Sequence, residues 1–280
     1  MKNTIHFISG LPRSGSTLFS ALLRQNPRFH AGISSPVAPM CNALLNVMGT
    51  KNEFATSFTD GQKKSLLTGI FDNYYHHLPP GTIIFDSNRS WCSRLALLNQ
   101  LFIDFKMICC VRNVAWIMDS FERLVQKHPL VYSRIFNDDG ERGTVYSRTE
   151  ALAHHTRTVG FSLAALREAY YGPYSSSLLL IDYELLARFP QKCMLLVYDF
   201  LGEEPFEHDP ENVAFEEADF DAHMGVPGMH KVRSTITYTE RPTLLPPDIF
   251  EKYDKINFWT RPEGTAANVI SVSAKEKPVG

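Results

Sequence analysis

The stretch His6-Phe7-Ile8-Ser9-Gly10-Leu11-Pro12-Arg13-Ser14-Gly15-Ser16-Thr17-Leu18 constrains the fold of this chain more than any other. An apolar run from Ile5 to Ile8 reads as a strand, and the glycines and proline after it read as a turn. Leu18, Leu22 and Leu23 then recur at helical spacing. Strand, glycine loop and helix in that order open a parallel α/β unit. The same order makes an anion site, because N–H groups at a helix start lack intrahelical acceptors and the macrodipole attracts negative charge.

The spacing Gly10-x4-Gly15-x-Thr17 is that of the phosphate loop G-x-x-x-x-G-K-[ST], with Ser16 in the lysine's place. In kinases and NTPases that lysine and a Mg²⁺ ion neutralise a polyphosphate under cleavage. Ser16 carries no charge, so the loop's cation is expected from Arg13, whose planar fork suits a tetrahedral oxyanion. The loop therefore suits a phosphate or sulfate group less charged than an ATP tail, with no metal required.

Length and composition set the frame. The 280 residues suffice for one large α/β domain, and 44% hydrophobic with 21% charged residues is ordinary for a globular protein. A formal net charge of −2 gives no global pull on nucleic acid, so any anion site is local. No apolar run approaches the roughly 20 residues of a membrane span, and the amino terminus lacks a secretory signal pattern. Five cysteines (Cys41, Cys92, Cys109, Cys110 and Cys193) without metal-ligand spacing suit a reducing, cytoplasmic setting.

Along the chain, helices are expected over about 39–48, 61–76, 91–102, 114–126, 149–171, 190–201 and 244–255. Strands are expected at Thr82–Phe85, Lys106–Val111 and Ser177–Ile181, with a short one after His30. The polar stretch from Lys127 to Arg148 reads as an active-site cover. Short apolar strands alternating with helices predict a single α/β domain over 1–259, a mainly parallel sheet of the P-loop type flanked by helices. Residues 260–280 read as a polar, frayed tail. Ligands of such sheets lie beyond the carboxyl ends of the strands, where Arg13, Asp86 to Arg89, Arg112 and Asp182 to Glu184 fall.

A second anion site is suggested by Arg112 at a strand end and Ser120 eight residues later. With Pro12-Arg13-Ser14-Gly15-Ser16-Thr17, this pattern closely resembles the sulfotransferases that use 3′-phosphoadenosine 5′-phosphosulfate (PAPS). The resemblance spans roughly residues 4 to 255 and is nearest to bacterial members and the tyrosylprotein sulfotransferase branch. It implies that the Pro12–Leu18 loop holds the 5′-phosphosulfate and that Arg112 and Ser120 hold the 3′-phosphate. It further implies that Tyr183, in Asp182-Tyr183-Glu184-Leu185-Leu186, meets the adenine, and that Lys231, Val232 and Arg233 belong to a loop closing over the nucleotide.

The implied reaction is in-line attack of a hydroxyl or amine acceptor on sulfur, releasing adenosine 3′,5′-bisphosphate. The acceptor is a small molecule or peptide, and a homodimer is allowed. Arg13, Ser16 and the loop N–H groups would stabilise the bridging oxygen. Two features depart from the family. Its glutamate after the first helix is replaced by Gly32-Ile33-Ser34-Ser35, and its lysine is absent from Asp86-Ser87-Asn88-Arg89. Arg89 is the charge available in the lysine's place. Asp86 is a candidate base, or else a structural partner of Arg13 or Arg89; His30 is the next candidate, ahead of His154 and His155. Two rival readings are a P-loop kinase or nucleotide hydrolase with a displaced lysine, and a nucleotide sensor that has lost catalysis.

Overall fold

The computed structural model describes residues 3–130, 134–213, 230, 232 and 235–272. Its strands are β1 (Thr4–Gly10), β2 (Phe29–Ala31), β3 (Ile83–Ser87), β4 (Met107–Val111), β5 (Leu178–Asp182) and β6 (Asn268–Ile270). They form one sheet in the order β2-β3-β1-β4-β5-β6, with every neighbouring pair parallel. The helices, in chain order, are α1 (Ser16–Leu23), α2 (Val37–Val47), α3 (Asp60–Tyr74), α4 (Leu95–Leu101), α5 (Val114–Lys127) and α6 (Asp139–Arg142). They continue with α7 (Val145–Ala153), α8 (Thr158–Tyr171), α9 (Tyr183–Arg188), α10 (Pro190–Leu201) and α11 (Pro247–Asp254).

A parallel sheet covered on both faces needs strands that are apolar throughout, and β4 is buried at all five positions. Its alternate residues feed two cores. Met107, Cys109 and Val111 join Phe7, Ile84 and Leu180 against α2, α3, α4, α5, α7, α8 and α11. Ile108 and Cys110 join Ile8, Phe85 and Ile181 against α1, α9 and α10. The result is a three-layer single domain. Because β1 lies between β3 and β4, the connections diverge there, and the crevice beyond the carboxyl ends of β1 and β4 is the sheet's switch point.

Three local expectations are corrected. The helix expected over 149–171 is two, α7 and α8, because His154 and Arg157 adopt extended ψ angles of 140° and 169°. Gly160 permits the tight turn: a Cβ there would stand 2.2 Å from the Ala153 carbonyl oxygen. The expected helix over 91–102 starts as a 3₁₀ segment, Arg89–Arg94, before α4. The tail expected to fray contains β6, which pairs with β5 through Leu179 to Ile181. The stretch after α5 is also anchored where it is described. Phe136 is buried, and Arg148 donates to both carboxylate oxygens of Glu122 at 2.8 and 2.7 Å.

Candidate active site

The loop after β1 is shaped by backbone geometry that its residues alone allow. Gly10 has φ +105°, and a Cβ there would meet the Cys110 carbonyl oxygen at 2.3 Å, so glycine is required. The Leu11 N–H donates to that same carbonyl at 2.9 Å, fastening the loop to β4. Arg13 sits at φ 58°, a left-handed conformation unusual for a side-chain-bearing residue. Gly15, at φ +93°, caps α1, and a Cβ there would lie 2.8 Å from the Tyr183 ring. No side chain caps α1 and its first turn holds no acid. Its leading N–H groups are thus left for an anion.

Ser14 faces inward. Its fully buried hydroxyl lies 2.5 Å from the Leu11 carbonyl and 2.9 Å from that of Cys110. The side chain holds the turn; only its backbone is available to an anion. Pro12, Arg13, Gly15, Ser16, Thr17 and Leu18 line a cleft of about 1120 Å³ at the switch point. Arg89, Arg112, Ser120, Tyr183 and Val232 line it too. Lys231 and Arg233 lie outside the described residues.

Arg13 and Arg112 form one wall of this cleft. The Arg13 Nε donates to Ser120 Oγ at 3.1 Å, and Arg112 Nη1 reaches the Arg13 carbonyl at 3.5 Å. The Arg112 guanidinium stacks 4.3 Å from the Tyr183 ring centroid. The two anion points expected from sequence therefore face the same cleft, but the guanidinium of Arg13 is at the Ser120 end. Asn113 caps α5 at once, accepting from the Ala115 N–H at 3.0 Å, so Ser120 stands within the helix. Burial lowers the pKa of Arg112, an effect its Tyr183 neighbour opposes.

Arg89 is the cation on the other side of Ser16. Its surface reaches water through the cleft, yet protein crowds it from most directions, and burial alone lowers its pKa. Among the described residues no carboxylate or hydrogen-bond acceptor meets its guanidinium. Exposed to the cleft, its guanidinium is a charge that an entering anion can meet.

Asp86 is elsewhere. It is fully buried and absent from the cleft lining. Its carboxylate accepts from Ser35 Oγ at 2.7 Å, Tyr75 Oη at 2.8 Å and Trp91 Nε1 at 2.6 Å. Burial raises its pKa while the three donors oppose the rise. With no oxygen facing the cleft, Asp86 has no route to an acceptor proton, and its partners are not Arg13 or Arg89. The base expectation is corrected to a structural one. His30 also lies outside the cleft lining, beside Tyr75 and His77.

Two features were not foreseen. One is the segment 235–241, which lines the cleft and is moored to α5. Buried Asp119 accepts from Arg241 Nη2 at 2.8 Å, Arg123 Nε at 2.9 Å and the Leu244 N–H at 2.7 Å. Nothing in the sequence pairs residues 122 apart. The other is His230, which is buried and lines the cleft with Arg89 and Ser16. Among the described residues no three His, Cys, Asp or Glu side chains group to hold a metal ion, and no helix is long and apolar enough to cross a membrane.

A parallel sheet with a glycine anion loop at its switch point and arginines converging there describes a P-loop-type α/β protein that handles oxyanions. Within that class the chain belongs to the sulfotransferase family, whose model matches residues 6–208. Sulfuryl transfer is the chemistry of that family. No curated protein sequence matches the chain significantly. Among solved structures, the sulfotransferase domain of the Synechococcus PCC 7002 olefin synthase is 19% identical, covering 91% of this chain and 94% of its own, with a TM-score of 0.50. A sulfotransferase from Alicyclobacillus acidocaldarius is 17% identical, covering 80% of this chain and 90% of its own, with a TM-score of 0.50. At these identities the likeness is one of fold.

Proposed function

We propose that this protein transfers the sulfuryl group of PAPS to an acceptor hydroxyl by in-line displacement and releases adenosine 3′,5′-bisphosphate. The observation that carries this reading is that two groups of cationic and hydroxyl residues line one cleft. Arg13, Arg112 and Ser120 form one, and Arg89 with Ser16 and the start of α1 forms the other. A nucleotide phosphorylated at both ends of its ribose matches two such stations, whereas a linear polyphosphate would gather its charge at the loop alone. Arg112, Arg13 and Ser120 then take the 3′-phosphate, and Tyr183, stacked under Arg112, borders the nucleoside.

At the other station the loop N–H groups, Ser16 and Thr17 hold the 5′-phosphate. Arg89 faces the bridging oxygen, where charge grows as the sulfur–oxygen bond lengthens. A preorganised donor is most effective at such a point. Arg89 thus supplies the charge that a lysine gives at this strand end in the family.

The test is Arg89→Ala. Transfer of radiolabelled sulfuryl from PAPS should fall about a hundredfold or more, while the affinity for adenosine 3′,5′-bisphosphate changes less than tenfold. Equal transfer by variant and wild type would remove Arg89 from the reaction. Absence of any PAPS turnover by the wild type, with Mg²⁺-dependent ATP loss in its place, would overturn the function.

A further inference from the structure

The 3₁₀ turn that carries Arg89 packs on the central strands through apolar contacts. Trp91 meets the Phe7 ring edge-on, with centroids 5.2 Å apart, and Cys92 Sγ lies 3.6 Å from Cys109 Sγ of β4. Contacts of this kind hold a turn close, but they are non-directional and leave its rotation open. Hydrogen bonds are directional. The Asn88 N–H donates to the Ile8 carbonyl at 3.0 Å, and the Ser9 hydroxyl donates to the Arg89 carbonyl at 3.1 Å, across 80 residues of chain. Resting on the sulfuryl-transfer reading, we propose that Ser9 is a positioning residue, which sets the aim of Arg89 at the bridging oxygen.

Two observations support it. The first is that packing alone does not call for a serine there. Ser9 shares a face of β1 with Phe7, because alternate residues of a strand point the same way. Its neighbour in register on β4 is Cys109, and Phe7 and Cys109 both belong to the apolar core on that side of the sheet. Ser9 itself is buried. A hydroxyl in such a layer costs stability unless it is hydrogen-bonded, and alanine would fill the layer without that cost. What the serine adds is the bond to Arg89.

The second observation is the length of the lever. Among the described residues the Arg89 guanidinium meets no carboxylate or acceptor, so its direction is set from its backbone. A small rotation at the Arg89 carbonyl becomes a larger displacement at the end of the side chain. Groups acting on a transition state must be held within roughly 0.5 Å and 10–20°, and a shift of about 1 Å costs up to about a hundredfold in rate.

The test follows single-turnover loss of radiolabelled sulfuryl from PAPS bound to the full chain, with water and with 4-nitrophenol as acceptors. Ser9→Ala should slow this step about tenfold and leave the Kd for PAPS within about threefold of the wild type. Ser9→Thr keeps the hydroxyl and should stay within about threefold of the wild-type rate. Because Ser9 acts through Arg89, adding Ser9→Ala to Arg89→Ala should slow the step less than about twofold further. A purely structural role would not produce that dependence on Arg89. A wild-type rate in Ser9→Ala, a loss of PAPS affinity in place of rate, or the same tenfold loss in the Arg89→Ala background would each overturn the assignment. A wild type that never turns PAPS over would strike the sulfuryl-transfer reading, and this inference with it.

Discussion

Asp86 shows how a residue that looks catalytic in sequence is claimed by packing. Its three donors come from the loop before α2, the end of α3 and the 3₁₀ turn after β3, so the carboxylate joins elements around one buried point. Asp86→Ala would leave Ser35, Tyr75 and Trp91 with unmet buried donors, at about 1–3 kcal/mol each. Chemical denaturation should show a loss of at least about 3 kcal/mol; intact stability with abolished turnover would return Asp86 to catalysis. His6 carries a pH dependence. Burial, reinforced by Lys106, lowers its pKa to about 4 from 6.5, and its Nδ1 accepts from the Lys106 N–H at 3.2 Å. The unfolded chain therefore binds the proton first as pH falls. The stability contribution is complete above pH 6.5 and is lost toward pH 4, amounting to about 3 kcal/mol. His6→Asn should weaken this acid-side slope between pH 7 and 4.5, and an unaltered slope would show that another group causes it.

At the scale of elements, the loop between β1 and α1 was legible because its constraints are local: two glycines, an arginine and hydroxyls at fixed spacing. Gly10→Ala places a methyl group on the backbone of β4, where neither partner can move aside. A loss of about 3 kcal/mol or more is expected, and a melting curve within 1 °C of wild type (about 0.6 kcal/mol or less) would refute that account of the turn. The central strand β4 was equally legible, since burial on both faces writes an unbroken apolar run. The break between α7 and α8 was not, because the decisive contact of Gly160 is with the preceding helix's backbone. Strand β6 was hidden for a different reason. It is three residues long and begins with Asn268, so it leaves too short a pattern to read.

For the whole molecule, the formal net charge of −2 says nothing of the cleft, where Arg13, Arg89, Arg112 and Arg241 converge. Sequence spacing singled out Arg13, Arg112 and Ser120, but not the contact of Arg13 with Ser120, which spans 107 residues. The claim on which the account stands is that one nucleotide bridges both stations. Isothermal titration of adenosine 3′,5′-bisphosphate into the wild type and Arg112→Ala tests it directly. Saturable one-to-one binding is predicted for the wild type, weakened about a hundredfold (about 2.8 kcal/mol) in the variant, with 5′-AMP binding no better than the variant binds the bisphosphate. Equal affinities in the two proteins, or 5′-AMP bound as tightly as the bisphosphate, would contradict it.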